Sequence, residues 1–321
     1  MKLTAFSAGR PGGNSEVYVK EALMAAEAKG IEVELIRLTE CDMHNCRDCS
    51  PNFCPAMMDM SKCPYGKDDT MWLMDKFLDS DGYIIGAPVF SLTPSSLLVT
   101  FRDRVFGPKM DVAAKELGIP EQPWVKGRFK ARPGGLISVG GALTEHWTSL
   151  GIPTLYTTTF SAQTDIVDHM NVFGVADRYA AAIDDKWLER AHKLGENVAD
   201  AMLSGDHSWR GEKEGTCPFC HLDMLTIEPG TTNVTCPICG VGGKLSIVDG
   251  AISVEWPDDE RNRKDNRLRV AGKVTHQLEI RECREKCYDP YLDLAKEKYK
   301  KYEAYKDCLL KPPSRCKKVA E

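Results

Sequence analysis

Roughly the first 205 residues alternate between strand-like and helix-like segments, and this alternation restricts the fold more than any other feature of the sequence. Short apolar or alternating stretches predict strands at residues 3–6, 31–36, 83–87 and 136–139. Between them, apolar side chains recur at helical spacing and predict helices over residues 15–29, 68–79, 94–106 and 184–203. Such alternation is typical of a parallel sheet covered by helices on both faces. We therefore expect an α/β domain with a doubly wound parallel sheet, into which residues 107–131 are inserted.

The sequence changes character after this domain, where a polar linker leads into short strands and turns and then into a helical tail. Asp249-Gly250 lies between two alternating runs, which is a strong signal for a two-residue hairpin. Pro290 divides the helical tail into two segments. We predict three parts: residues 1–205, a small ribbon over residues 206–257, and a helical extension over residues 258–321.

Composition and charge narrow the functional classes. An apolar content of 42% is enough to bury a large core. No stretch approaches the roughly 20 consecutive apolar residues of a membrane-spanning helix, and the chain starts in a predicted strand instead of a signal peptide. The formal net charge is −5, and residues 206–321 carry nearly equal numbers of basic and acidic side chains. We therefore expect a cytoplasmic protein without membrane or nucleic-acid partners.

The 13 cysteines fall into groups, and the second group has the most specific spacing. Cys217-Pro-Phe-Cys220 and Cys236-Pro-Ile-Cys239 are two C-x2-C pairs that are separated by 15 residues. Each pair fits a knuckle turn, and four thiolates form a closed tetrahedral site with no coordination position left for a substrate. We predict a structural Zn²⁺ in this ribbon; a rubredoxin-type iron that passes single electrons is the alternative.

The first group, Cys46-x2-Cys49-x4-Cys54-x8-Cys63, offers four thiolates within 18 residues. Soft thiolates in a compact loop select an iron–sulfur cluster or zinc, and unbound thiols are the third possibility. Cys41 is a spare candidate ligand. The cysteines of the helical extension, at positions 283, 287, 308 and 316, are interpreted as ordinary reduced thiols.

A loop of small residues, Ser7-Ala-Gly-Arg-Pro-Gly-Gly-Asn-Ser15, joins the first predicted strand to a helix. Such a loop lets backbone N–H groups approach an anion, and the helix N-terminus adds positive potential. It is neither a Walker loop nor a G-x-G-x-x-G fingerprint, and alone it is equally compatible with a simple turn. Two further loops, residues 86–96 and 138–142, also follow predicted strands. In a doubly wound sheet these loops converge on one crevice, which favours a binding site.

With these loops in place, the sequence resembles the NADPH-dependent FMN reductase superfamily, and within it the iron–sulfur flavoproteins with a flavodoxin-like fold. The resemblance covers about residues 1–205 and rests on the small-residue loop, the cysteine stretch leading into Cys63-Pro-Tyr-Gly-Lys-Asp-Asp, residues 81–90, Phe101-Arg-Asp-Arg, and the helix at 187–202. The chain departs from the family at Phe6, where glycine is usual, and in a phosphate loop that is one residue longer.

The resemblance implies bound FMN and a [4Fe–4S] cluster on Cys46, Cys49, Cys54 and Cys63. The implied phosphate ligands are Ser7, Arg10, Gly13, Asn14 and Ser15. The implied contacts to the flavin ring are Pro88, Val89, Phe90, Ser91 and Leu92 on one side and Gly140 and Gly141 on another. The resemblance also implies a homodimer or homotetramer that brings cluster and flavin together.

His146 follows the last of these loops, so we take it as a candidate catalytic residue; Tyr156 and His169 are weaker candidates. The favoured function is an FMN-dependent oxidoreductase that couples two-electron flavin chemistry to the cluster and acts on NAD(P)H, a quinone or an aromatic compound. NAD(P)H or a ferredoxin would supply electrons. The alternative is an electron-transfer flavoprotein without its own organic substrate, which exchanges electrons with ferredoxin-like partners.

Overall fold

The computed structural model describes residues 1–49, 54–306 and 310. The chain divides into two compact units, Met1–Val274 and Thr275–Glu321. The strands are β1 (Lys2–Ser7), β2 (Glu32–Arg37), β3 (Gly82–Phe90), β4 (Thr93–Pro94), β5 (Arg132–Val139), β6 (Thr164–Val172), β7 (Thr226–Ile227), β8 (Asn233–Thr235), β9 (Gly242–Val248) and β10 (Ala251–Glu255). The α-helices are α1 (Asn14–Ala28), α2 (Thr70–Asp79), α3 (Ser96–Val105), α4 (Ala113–Glu116), α5 (Gly151–Tyr156), α6 (Asp185–Ser204), α7 (Glu260–Asp265), α8 (Val270–Cys283) and α9 (Leu292–Ala304).

The main sheet contains five parallel strands in the order β2-β1-β3-β5-β6, and the short β4 pairs antiparallel with the end of β3. This is the 2-1-3-4-5 order of flavodoxin-like sheets. Because all five strands are parallel, their carboxyl ends lie along a single edge. The predicted fold class is confirmed.

Two apolar clusters cover the two faces of the sheet. Alternate residues of β3 point to opposite faces, so Ile84 packs with α1 and α6, whereas Ile85 packs with α2, α3 and α5. The first layer is tight: a Cβ on Gly195 in α6 would lie 2.0 Å from the backbone oxygen of Ala22 in α1. This close approach explains a glycine in the middle of a 20-residue helix.

The sequence patterns correctly predict β1, β2, β3 and β5 and the helices between them, but β6 was not predicted. Its sequence carries Asp165, Asp168, His169 and Asn171, which hide the strand pattern. Asp168 is nevertheless fully buried, because Arg190 and Asn197 of α6 donate hydrogen bonds to its carboxylate. A buried ion pair here takes the place of the apolar contact that strand prediction relies on.

Glu16, in the first turn of α1, anchors the loop that precedes this helix. Its buried carboxylate accepts hydrogen bonds from Arg37 Nε (2.8 Å) and Nη2 (3.0 Å), and Lys20 Nζ lies 2.7 Å away. Burial works to raise the pKa of Glu16, but hydrogen bonds from Arg37, Lys20 and the backbone of Gly12 outweigh it and lower the pKa to about 2. The carboxylate therefore ties the β1–α1 loop to β2.

We expect Glu16→Gln to reduce the free energy of unfolding at pH 7 by about 1–3 kcal/mol, because Arg37 and Lys20 lose a buried anionic partner. The folded-state pKa of Glu16 lies below its ordinary value of 4.5. The stabilisation is therefore complete above about pH 4.5 and disappears as the pH falls toward 2. Denaturant unfolding at pH 7, 4 and 3 measures it, with the exposed Glu40→Gln as the control. An equal difference between Glu16→Gln and wild type at all three pH values would contradict this account.

The ribbon follows the main domain inside the first unit and forms a separate antiparallel sheet in the order β10-β9-β8-β7. Asp249 (φ 53°) and Gly250 (φ 81°) make the two-residue turn between β9 and β10. Both positive φ values are those of a type I′ hairpin, which confirms the predicted turn.

The helical extension is interrupted at Pro290, which lies between α8 and α9 as predicted. Helix α9 ends at Ala304, and residues 307–309 and 311–321 of the predicted helical extension lie outside the described residues. Among the described helices, none is both long and apolar enough to cross a membrane.

Candidate functional site

The loop between β1 and α1 forms a cradle of small residues at the carboxyl end of β1. Ser7 is fully buried, and its Oγ has no hydrogen-bond partner among the described residues. A Cβ on Gly9 would lie 3.2 Å from Ser15 Cβ and 3.7 Å from Ser7 Oγ, so both serine side chains face the same small space. Gly12 has a φ of +67°, which favours glycine, and α1 begins two residues later. A buried hydroxyl without a partner beside a helix N-terminus suits an anion.

Arg10, Gly13 and Asn14 lie in the same loop but differ in what they offer. Arg10 is exposed, and its Cγ lies 2.8 Å from where a Cβ on Gly13 would be, so the glycine makes room for the arginine. The Asn14 amide donates to Val175 O (3.2 Å) and Asp177 O (2.9 Å), and its Oδ1 accepts from the backbone N–H of residue 181. The Asn14 side chain is thus used in hydrogen bonds to the segment after β6. The backbone N–H of Asn14 is what remains to donate to a phosphate.

The second predicted segment, Pro88–Leu92, is the end of β3 and the turn into β4. Val89 and Phe90 pair with Pro94 and Thr93, and Ser91 and Leu92 form the turn with φ values of 50° and 74°. A left-handed conformation at a leucine is uncommon and costs roughly 1–2 kcal/mol. The strain is located at the same sheet edge as the cradle.

Gly140 and Gly141 allow two loops to pack closely at that edge. A Cβ on Gly140 would lie 2.2 Å from Thr148 Cγ2, and one on Gly141 would lie 2.9 Å from Ala176 Cβ. Gly140 N–H donates to Val172 O (2.9 Å), which joins the ends of β5 and β6. The two glycines therefore have a packing role whether or not a ligand contacts them.

Large apolar side chains remain exposed on the segments that follow β3, β5 and β6. We call them the apolar rim; its members, with their exposed fractions, are Phe90 (62%), Leu143 (84%), Trp147 (58%), Tyr179 (64%) and Ile183 (85%). Tyr179 also has a left-handed backbone, with φ 73°. The rim borders the edge that carries the cradle, and exposed apolar groups concentrated in this way indicate a binding surface.

The three candidate catalytic residues have different surroundings. His146 is exposed on a short 3-10 turn, and its Nε2 lies 3.4 Å from Thr144 Oγ1. Tyr156 and His169 are partners: Tyr156 Oη donates to Cys220 O (2.7 Å) and lies 3.2 Å from His169 Nδ1. Burial lowers the pKa of His169 to about 3 and raises that of Tyr156 well above its ordinary value. Tyr156 therefore binds the ribbon, and His169 contacts Tyr156. A catalytic role for His146 remains a prediction.

The four cysteines of the first group line one cavity of about 590 Å³. The cavity lining includes Cys46, Cys49, Cys54 and Cys63. Its wall also contains Arg104 and Lys109, both almost completely buried. Among the described residues, the ribbon has the one set of three or more candidate ligand atoms within 4.8 Å of one another, so no three sulfurs of this cavity come that close together.

Arg104, in the last turn of α3, donates to Cys63 Sγ at 3.1 Å. It also donates to Asp68 Oδ2 at 2.8 Å, to Tyr65 O at 3.0 Å and to Thr70 Oγ1 at 3.2 Å. Burial works against the guanidinium charge, but the bonds to Cys63 and Asp68 raise the pKa of Arg104 above its ordinary value. A fixed positive charge therefore contacts one of the candidate metal ligands.

The ribbon cysteines converge as predicted. All four are fully buried, with Cys217 Sγ 3.4 Å from Cys239 Sγ and Cys220 Sγ 3.5 Å from Cys236 Sγ. Tetrahedral Zn–S bonds of about 2.3 Å place the sulfurs about 3.8 Å apart, so the donor set and spacing fit a metal ion. The two knuckles are alike: a backbone N–H donates to the oxygen of Cys217 in one and of Cys236 in the other. The residue that donates has a left-handed backbone in each case, His221 (φ 58°) and Gly240 (φ 82°).

The ribbon is docked against the main domain and shares its core. The four cysteines belong to the same apolar cluster as Leu155 and Tyr156 of α5. The rings of Trp209 in the ribbon and His169 in β6 have centroids 4.9 Å apart, and Tyr156 Oη donates to Cys220 O at 2.7 Å. The metal site is thus buried at a seam and not at a solvent-exposed tip.

Residues 1–149 match the family model described as NADPH-dependent FMN reductase. This match covers 149 of the 321 residues, all of them in the N-terminal domain. The chain is 29% identical to a flavone synthase of Aspergillus candidus over 289 residues, which is 87% of this chain and 88% of that protein. It is 29% identical to an iron–sulfur flavoprotein of Methanocaldococcus jannaschii over 209 residues, or 63% of this chain and 97% of that one. A solved structure of a flavone reductase aligns with 97% of this chain and 100% of its own length at 24% identity and a TM-score of 0.75, which supports the fold.

The match to the FMN reductase family model and the similarity to the flavone synthase together support an FMN-dependent oxidoreductase. The residues at the sheet edge fit this cofactor. The partnerless Ser7 hydroxyl and the helix N-terminus suit a phosphate, and the strained turn of β3 lies at the same edge. FMN would then be held between the cradle and the Pro88–Leu92 segment.

We expect Ser7→Ala combined with Ser15→Ala to weaken FMN binding, because each hydroxyl that donates to a phosphate contributes about 1–3 kcal/mol. Each substitution should raise the Kd for FMN about 5- to 150-fold. Fluorescence titration of the apoprotein measures this, with the exposed Ser204→Ala as control. An unchanged Kd in a folded double variant would exclude the cradle as the phosphate site.

We expect Cys217→Ser combined with Cys236→Ser to release one metal ion and to lower the unfolding temperature, because the site is part of a shared core. The flavin spectrum should be nearly retained, since the cradle lies apart from the ribbon. Tyr156→Phe is the matched control: it should keep the metal yet lose roughly 1–3 kcal/mol by leaving the Cys220 carbonyl without its donor. Elemental analysis and thermal unfolding test both variants; full metal content in the double serine variant would refute the assignment.

Sequence patterns missed Arg104 and the role of Tyr156. Phe101-Arg-Asp-Arg supported the family resemblance, but nothing in it indicated a contact with Cys63, which is 41 residues away. Tyr156 and Cys220 are 64 residues apart. Neither contact has a local pattern that could have predicted it.

Proposed function

We propose that the protein uses bound FMN to reduce a planar aromatic substrate, and that Cys46, Cys49, Cys54 and Cys63 hold an iron–sulfur cluster that exchanges single electrons with it. The observation that supports the substrate class is the apolar rim. Three of its members carry aromatic rings, Phe90, Trp147 and Tyr179, and each is exposed by more than half. A flat apolar molecule would cover such a rim and gain from leaving water.

The relatives support the same class of substrate. By their names, the flavone synthase forms flavones and the flavone reductase reduces them; flavones are planar conjugated ketones. The first of these aligns with most of this chain. We infer that a flavone-like compound with a conjugated C=C bond is the substrate.

The reaction adds two electrons and two protons across this C=C bond. Bound FMN supplies hydride chemistry and can accept its electrons as a pair or singly. With NAD(P)H as donor, one hydride leaves the nicotinamide, one proton comes from water, and NAD(P)⁺ is the second product. The chain's own part is to hold the substrate on the rim, and His146 lies beside Trp147 as the candidate proton donor.

Two features support a cluster in the cysteine cavity. Four thiols line one space, and buried Arg104 and Lys109 belong to the same lining. A cluster held by four thiolates carries negative charge, so buried cations stabilise it. The relative from M. jannaschii is named an iron–sulfur flavoprotein. For the ribbon we propose a structural zinc ion.

A second candidate is an electron-transfer flavoprotein that serves a ferredoxin-like partner. The exposure of the rim favours it, because an accessible cofactor edge also suits a protein partner. The two functions differ in whether an organic substrate is consumed.

Anaerobic turnover of the purified holoprotein decides between them. With NAD(P)H and a flavone, we expect one NAD(P)H to be consumed for each flavone reduced, and Phe90→Ala to raise the KM for the flavone severalfold because the rim loses contact area. Ile227→Ala, an exposed apolar residue of the ribbon, is the control. Failure to reduce any flavone, with rapid reduction of a ferredoxin, would favour the carrier. Iron, sulfide and zinc analysis of the same preparation tests both metal proposals.

We also propose that the chain forms a homodimer or homotetramer. The rim and the exposed tyrosines of the α9 region, Tyr299, Tyr302 and Tyr305, offer apolar surface for it. The mass of the holoprotein in solution tests this, and a monomer at micromolar concentration would exclude it.

A further inference from the structure

Arg104 has an unusual position for an arginine. Only 1% of its surface is exposed, and its nitrogens are divided between four acceptors. Three of these are oxygens of Tyr65, Asp68 and Thr70, which fix the guanidinium in one orientation. The fourth is the sulfur of Cys63, at 3.1 Å.

The oxygen contacts are sufficient for a purely structural role, which is to hold residues 63–70 against α3. They do not explain the contact with sulfur, since a neutral thiol is a weak acceptor. A thiolate that ligates a metal is a far better acceptor for a charged donor. Arg104 therefore presents its charge and an N–H group where a metal-bound sulfur would receive them.

We propose that Arg104 is a positioning residue that sets the reduction potential of the cluster through its hydrogen bond to Cys63. This inference rests on the proposed cluster. Reduction adds one negative charge to the cluster, and a nearby fixed cation stabilises the more negative state. Hydrogen bonds to ligand sulfurs and net charge are among the features that set cluster potentials. Arg104 thus raises the potential.

Asp68 opposes this effect. Its carboxylate is almost completely buried and lies 2.8 Å from Arg104 Nη2, so it offsets part of the cationic field. Its Oδ1 also accepts from the N–H of Thr70 at 3.1 Å, a bond that asparagine can keep. Removing this charge should therefore shift the potential in the opposite direction from removing Arg104.

The experiment is an anaerobic redox titration of the cluster, followed by electron paramagnetic resonance, in the holoprotein and four variants. Arg104→Gln should lower the midpoint potential, and Arg104→Lys should lower it less because the charge remains. Asp68→Asn should raise it. Arg102→Gln removes a cation from the same helix that bonds to Asp103 and Thr157 and not to a cysteine, so it should lower the potential less than Arg104→Gln does. A structural role alone would change iron content or stability without producing shifts of opposite sign.

The outcomes separate this inference from the proposed function. A wild-type protein without iron and sulfide refutes the cluster and this role together. With the cluster present, equal midpoint potentials in Arg104→Gln and Arg102→Gln refute the role of Arg104 and leave the proposed function intact. If Arg104→Gln loses its cluster, the midpoint potentials of Arg104→Lys and Asp68→Asn test the proposal instead. A potential equal to that of the wild type in both variants overturns it.

Discussion

The burial of both faces of a parallel sheet is the constraint on which the other features of this protein depend. Helices cover β1, β3 and β5 on both sides, so both faces of these strands are buried and closed to a ligand. Groups that bind a ligand are therefore confined to the loops at the sheet edge. The strand order then places the cradle, the strained β3 turn and the apolar rim along the carboxyl ends of the strands.

The protein contains two cysteine sites that differ in construction. The ribbon draws its four sulfurs together in two knuckles of the same geometry and buries them completely. The other site lines a wide cavity and includes two buried cations, Arg104 and Lys109. A compact and fully buried set of four thiolates suits a structural ion, whereas a cavity with buried cations in its wall suits a centre whose charge changes.

The sequence predicted those elements of the structure that depend on the spacing of neighbouring residues. The apolar runs of β3 and β5 are visible in the sequence because both faces of these strands are buried, and the ribbon is visible because each knuckle has a fixed spacing. The edge strand β6 was missed because the Asp168–Arg190 ion pair replaces an apolar contact. Three other features join distant parts of the chain. They are the hydrogen bonds of the Asn14 side chain to the loop after β6, the Arg104–Cys63 contact and the packing of the ribbon against the main domain. Sequence spacing carries no information about them.

The seam between Tyr156 and the ribbon has a consequence for how the protein forms during synthesis. A ribosome releases the N-terminal domain first. At that stage Tyr156, at the end of α5, packs within the main domain but lacks the Cys220 carbonyl that accepts its hydrogen bond. Because the ribbon cysteines belong to the same apolar cluster, this part of the core is completed only after the ribbon has emerged and folded.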